Sequence, residues 1–176
     1  VPAVGTNVCK VWELDVRWRL GRFRPHHGFV FGSATAMLAW LVHQDCARNS
    51  ADVARFALIL CSVLGFWNLL YDVKALRIGL LKVYNQPWAD GRGEEAIALD
   101  YAPWFFGGFG AAYGAVLGGF EYLLHTEGRV GAAASALWLT AGLLVCIALP
   151  VGGFIRHSLR AHGHAGTWPV PRGPSP

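Results

Sequence analysis

Residues Val53–Val73 read VARFALILCSVLGFWNLLYDV, and the character of this stretch decides the fold. About 20 apolar residues in a helix, rising 1.5 Å each, cross the roughly 30 Å of hydrocarbon in a bilayer. The two charges in the stretch lie near its ends, Arg55 at the start and Asp72 at the finish. Such a run lacks the polar face that a surface helix of a water-soluble domain keeps.

Working outward, Gly28–Gln44, Ala102–His125 and Val130–Ile155 share that character. The expected fold is all-α, an integral-membrane bundle of four transmembrane helices. Threading the chain through a bilayer four times then segregates its basic residues. Lys10, Arg17, Arg19, Arg22 and Arg24 precede the first span; Lys74, Arg77, Lys82 and Arg92 lie between the second and third; Arg156, Arg160 and Arg172 follow the fourth. That is 12 of 15, with Arg48, Arg55 and Arg129 on the other side. Lysine and arginine in short loops stay on the cytoplasmic face, so both termini are expected in the cytoplasm, matrix or stroma. The expected location is an energy-transducing membrane: a bacterial inner membrane, an organelle inner membrane or a thylakoid.

A hydrophobic content of 54% and a mean hydropathy of +0.36 leave room for one domain and no separate soluble module. The net charge of +4 suits anionic headgroups, so membrane lipids are expected partners and a bound phospholipid is expected. Nucleic acid is excluded as a partner, because the basic residues flank spans instead of forming a face of their own. Cys9 and Cys46 are expected on opposite sides of the membrane, Cys61 and Cys146 within spans. No CxxC occurs, so no metal site is assigned from cysteine spacing. The first 26 residues carry no apolar run, and no cleavable signal peptide is expected there.

Three parts follow. Residues 1–27 form a basic aromatic arm at the interface, 28–155 the membrane domain, and 156–176 a tail rich in Pro, Gly and His. The arm alternates apolar and basic residues around Val16–Leu20, which fits an extended segment or a short helix. Trp12, Trp18 and Phe23 would sit at headgroup level while Arg17, Arg19, Arg22 and Arg24 reach phosphates. Asn49, Ser50 or Asp52 is expected to cap the second span. Beyond Asp72, Val73, Leu76, Leu80, Val83 and Tyr84 recur at helical spacing opposite Lys74, Arg77 and Lys82. The spacing predicts an interfacial helix between spans two and three, with those three basic residues at lipid headgroups. Glu94–Asp100 reads as a second short surface helix, Pro103 as the opening of span three, and Pro150 with Gly152-Gly153 as a kink in span four.

Span three holds the strongest local motif. Gly110, Gly114 and Gly118 form GxxxGxxxG, beside a stripe of Gly107, Ala111, Ala115 and Gly119; Gly28 and Gly32 make a shorter version in span one. Residues four apart share a helix face, and in lipid such faces let backbones approach closely. The motif predicts tight packing, within this bundle or against another subunit, a lipid or a flat cofactor.

Two polar groupings are candidates for chemistry. At the inner end, topology brings Asn68, Asp72, Asp100, His26 and His27 to one membrane face. Two carboxylates and an imidazole have the donors for a divalent metal, or for acid–base work on a headgroup; the plainer expectation pairs Asp72 with a nearby Lys or Arg. At the outer end, Glu121 and His125 stand one turn apart on span three, and His43 ends span one. Histidine there is a candidate ligand, and Ala39, four residues before His43, would let a pigment or haem lie flat.

The chain contains no HExxH, no GxSxG and no phosphate-binding glycine loop. The expected function is a non-catalytic accessory subunit of a multi-subunit membrane complex, respiratory or photosynthetic, in contact with other membrane subunits. The alternative is a small integral-membrane enzyme acting on a lipid or isoprenoid at the inner face through Asp72, Asp100 and Asn68.

Overall fold

Val53–Val73 lies inside the 28-residue helix α2 (Ser50–Arg77) of a computed structural model, which describes residues 7–9, 25–78, 81–83, 92–163 and 165. The other helices are α1 (Pro25–Val42), α3 (Glu94–Ala102), α4 (Phe109–Glu127) and α5 (Ala132–His162). A π-helical segment, Pro103–Gly108, joins α3 to α4 without a break. The fold is all-helical apart from a short antiparallel ribbon, β1 (Asn7–Cys9) with β2 (Leu81–Val83), in which Val8 faces Lys82.

Asn49 caps α2. Its side chain accepts the Asp52 N–H at 3.0 Å, while the Asp52 carboxylate accepts the Arg48 N–H at 3.0 Å. The first bond satisfies a donor orphaned at the helix start, and the second fastens the residue before the cap. Pro103 has no N–H to return to the preceding turn, and its ring crowds that turn. The wider π spacing absorbs the conflict, so the expected opening at Pro103 is a bulge in a continuous rod. α4 and α5 end at Gly128 and Gly163, whose φ of 67° and 68° suits residues without a Cβ.

The packing is built on small residues. Gly118, Gly114 and Gly110 on α4 meet Val53, Ala57 and Cys61 on α2, and Gly107 meets Gly65. From Gly118 to Gly110 each step of four on α4 answers a step of four on its antiparallel partner, and at the π-helical segment the step shortens to three. A Cβ at Gly114 would stand 2.7 Å from the Ala57 Cα, and one at Gly110 would overlap the Leu60 carbonyl. A second face of α4 takes α5: Gly119 lies under the Trp138 ring, Gly142 receives Val116, and the Trp138 indole donates to the Val116 carbonyl at 3.1 Å. Gly153 of α5 accepts the Trp104 ring. Ala39, Phe56, Leu60 and Leu64 form one buried cluster, with Leu38, Val42, Phe109, Tyr113 and Leu117 packed around it. Tyr101, Ala102 and Phe154 form a second near α3.

Two helices, α2 and α5, are long and apolar enough to cross a membrane by length and composition; Gly32–Val42 is a shorter apolar stretch. Several expectations shift. The interfacial helix after span two reduces to the end of α2: the helix stops at Arg77, and Leu81–Val83 is a strand hydrogen-bonded to Asn7–Cys9. A backbone partner from the N-terminal region outweighs the apolar periodicity of so short a segment. α5 runs through Pro150 and past Ile155 to His162, so the expected edge of the tail falls inside a helix with Phe154 and Ser158 fully buried. Among the described residues, no atom of another element lies within 4 Å of where a Gly32 Cβ would be. α1 meets the bundle through Leu38, Ala39 and Val42 near its other end. Gly28 lies in the first turn of α1, and the arm from Lys10 to Arg24 lies outside the described residues.

Candidate functional site

Polar side chains gather at both ends of the bundle. At the α3 end, Asp72 comes from the last turns of α2, Asp100 and Tyr101 from α3, and His157 and His162 from the last turns of α5. The buried Asp72 accepts a hydrogen bond from the Tyr101 hydroxyl, Oδ2 to O 2.7 Å. Burial first, then the adjacent Asp72 carboxylate, raises the Tyr101 pKa above its ordinary phenol value and keeps the hydroxyl a donor.

Asp100 Oδ1 lies 3.1 Å from His157 Nε2 and 2.7 Å from His162 Nε2, with only 7% of the Asp100 side chain exposed. The Trp104 ring, 6.0 Å from the His157 ring, flanks the pair. Two imidazoles converging on one buried carboxylate are held in defined tautomers and orientations. Such a group can pass a proton or offer two nitrogens and an oxygen to a divalent metal.

This end only partly matches the inner grouping expected from sequence. Asp72 and Asp100 are both there, but they serve different partners, and Asp72 bonds Tyr101 where a Lys or Arg was expected. Asn68 turns back onto its own helix, donating to the Leu64 carbonyl at 2.7 Å, so it leaves the constellation. The side chains of His26 and His27 lie outside the described residues. Tyr101, His157 and His162 are the residues that sequence reasoning missed. Gly163, a helix-ending residue, was the available sign that α5 extends far enough to carry both histidines.

At the opposite end, His43 Nε2 stands 2.8 Å from Glu121 Oε1, and Glu121 Oε2 accepts the Ala47 N–H at 3.1 Å. Cys46 is the third member: its sulfur, the His43 nitrogen and the Glu121 oxygen all lie within 4.8 Å of one another. His125 is exposed on the last turn of α4 and does not join them. Ala39 is buried against the α2 and α4 side chains, and His43 Nε2 is covered by Glu121.

Among the basic residues expected at headgroups, Lys74 is exposed and Arg77 pairs with Glu95 of α3. The pairing follows a bond to its own backbone as the second cause that lowers the Glu95 carboxyl below its ordinary range. Arg17, Arg19, Arg22, Arg24 and the Lys82 side chain lie outside the described residues. The glycines at 107, 110, 114 and 118 are all taken up by α2, within the chain itself.

Compared with known proteins, the chain matches no family model, no curated protein and no solved structure.

Proposed function

We propose that this chain is an integral-membrane, non-catalytic accessory subunit of a larger membrane complex, respiratory or photosynthetic in kind. In this reading four helical rods cross the bilayer with both termini on the cytoplasmic, matrix or stromal face. One observation carries it: the molecule displays many of its large apolar side chains outward, while small residues line its closest helix contact. Trp40 is 75% exposed, Leu137 71% and Trp67 66%, while glycine and alanine fill the contact between α2 and α4. Water-soluble monomers rarely leave apolar patches of that extent uncovered. Lipid tails and neighbouring subunits are suitable covers, because lipid exerts little hydrophobic force of its own between helices.

α1 and α5 favour the subunit reading in particular. Met37, Trp40 and Leu41 on α1, and Leu143, Leu144 and Ile147 on α5, face away from the bundle. Both helices therefore offer apolar area to a neighbour, and Lys74 at the α3 end suits an anionic headgroup. The test is size in mild detergent. The chain should migrate with a complex far larger than 19.1 kDa plus its micelle, and should carry phospholipid. Migration as a single lipid-coated chain contradicts the proposal.

A second reading is favoured by the convergence of Asp72 with Tyr101, and of Asp100 with His157 and His162. It makes the chain a small enzyme acting on a lipid or isoprenoid at that membrane face, with the Asp100–histidine group moving the proton. Asp100→Asn should then abolish turnover of such a substrate while the helices remain folded. Unchanged turnover ends that reading.

A further inference from the structure

His43 and Cys46 come from the connection that follows α1 and Glu121 comes from α4, and contacts within the chain hold this group together before any ligand is considered. The His43 N–H donates to the Ala39 carbonyl at 3.0 Å, which carries the turn of α1 one residue beyond its end. The His43 ring stands edge-on to Phe56, centroids 5.4 Å apart. Ala47 is buried and fastens the connecting loop to α4 by donating to Glu121 Oε2 at 3.1 Å. Cys46, next to it, is thereby brought to the same place with its side chain exposed.

The contact between His43 and Glu121 is informative because of what it is not. The nitrogen and Oε1 are 2.8 Å apart, yet His43 Nε2 is shut off from solvent and makes no hydrogen bond among the described residues. The carboxylate oxygen lies off the line along which an Nε2–H would point. A buried ring nitrogen without a partner forgoes the hydrogen bonds it would make in water. A nitrogen and an oxygen this close can both face one metal ion. Bonds of about 2.0–2.1 Å at the tetrahedral angle set a ligand-to-ligand edge of about 3.3–3.4 Å, so a small rotation of the Glu121 carboxyl would seat the ion. The Cys46 sulfur, within 4.8 Å of both, is free to rotate into the third position.

We propose that His43, Cys46 and Glu121 form a three-ligand site for a divalent transition-metal ion of the zinc class. Imidazole, thiolate and carboxylate together select zinc-like ions over magnesium or calcium, which take oxygen ligands. Three protein ligands leave a fourth position on the exposed Cys46 side for water or an exchangeable ligand. The Ala47 N–H, bonded to the other oxygen of Glu121, is the outer contact that aims the carboxylate.

The test uses the full chain in mild detergent, without a polyhistidine tag and stripped of metal by a chelator. Zinc is titrated by calorimetry, and cobalt(II) is added as an optical probe. One equivalent of cobalt should bind with a sulfur-to-cobalt charge-transfer band. Cys46→Ser, at an exposed position, should abolish that band and weaken zinc binding by about tenfold or more, the least that a lost ligand costs where outer-shell losses already cost that much. Glu121→Gln, which keeps an acceptor for Ala47, should weaken zinc to a similar degree. His125→Gln, exposed on the last turn of α4 and outside the trio, should leave the cobalt band intact. Absence of stoichiometric binding overturns the proposal, as does a cobalt spectrum indifferent to Cys46→Ser or abolished by His125→Gln.

Discussion

Single residues decide how closely these helices approach. Gly114 meets the backbone of Ala57, where a Cβ would stand 2.7 Å from the Cα, so Gly114→Leu must push α2 and α4 apart. Overfilling a packed interface of this kind costs about 1–3 kcal/mol, to be read as a lower unfolding temperature in detergent. Gly32→Ala is the control: nothing lies within 4 Å of the new Cβ, and unfolding should be unchanged or slightly later, in line with helix propensity. Equal effects of the two substitutions would contradict the packing described. A second residue-level test concerns Asp72, which accepts from Tyr101 at 2.7 Å in a buried setting. Tyr101→Phe removes the donor and keeps the ring, so the loss should be about 1–3 kcal/mol. A variant as stable as the parent would show that the hydrogen bond contributes nothing.

Among elements, the pairing of α2 with α4 was the most legible in sequence and the end of α5 the least. Gly110, Gly114 and Gly118 announce a face by their period of four, and the face is there. Its partner stripe, Val53, Ala57, Cys61 and Gly65, has the same period but mixed composition, which hides it inside an apolar run. The histidines of α5 were harder to place. Pro150, Gly152 and Gly153 resemble a helix ending, yet α5 continues because Phe154 and Ser158 are buried against α3 and its neighbours. Tertiary burial outweighed local propensity. In the ribbon, Leu81–Val83 found its partner some seventy residues earlier, a pairing that no local pattern reports. At the other end, His43 and Glu121 were readable as neighbours, while Cys46 was hidden in a connection of irregular backbone. A prediction belongs to the contact of α3 with α5. Asp100→Asn weakens the acceptor shared by His157 and His162, so the last turns of α5 should become more open to proteolysis while the contact of α2 with α4 holds. Cleavage unchanged in both rate and position would count against that contact as a fastening of α5.

For the whole molecule, the inside-out distribution of side chains is the main physical fact. Twenty large apolar side chains among the described residues are exposed. Fully burying one such side chain is worth about 1.5–3 kcal/mol, so the surface holds more unused hydrophobic free energy than the roughly 5–15 kcal/mol that keeps a domain folded. In the proposed membrane setting lipid would cover these side chains, and the orientation proposed for the chain rests on the distribution of Lys and Arg through the positive-inside rule. The most direct measurement is accessibility labelling in sealed vesicles with a membrane-impermeant thiol reagent. It uses single-cysteine reporters Lys10→Cys, Lys82→Cys and Arg129→Cys in an otherwise cysteine-free chain. The account predicts that the first two react from one face and the third from the other. Reaction of all three from the same face, or of Lys10→Cys and Lys82→Cys from opposite faces, would contradict it.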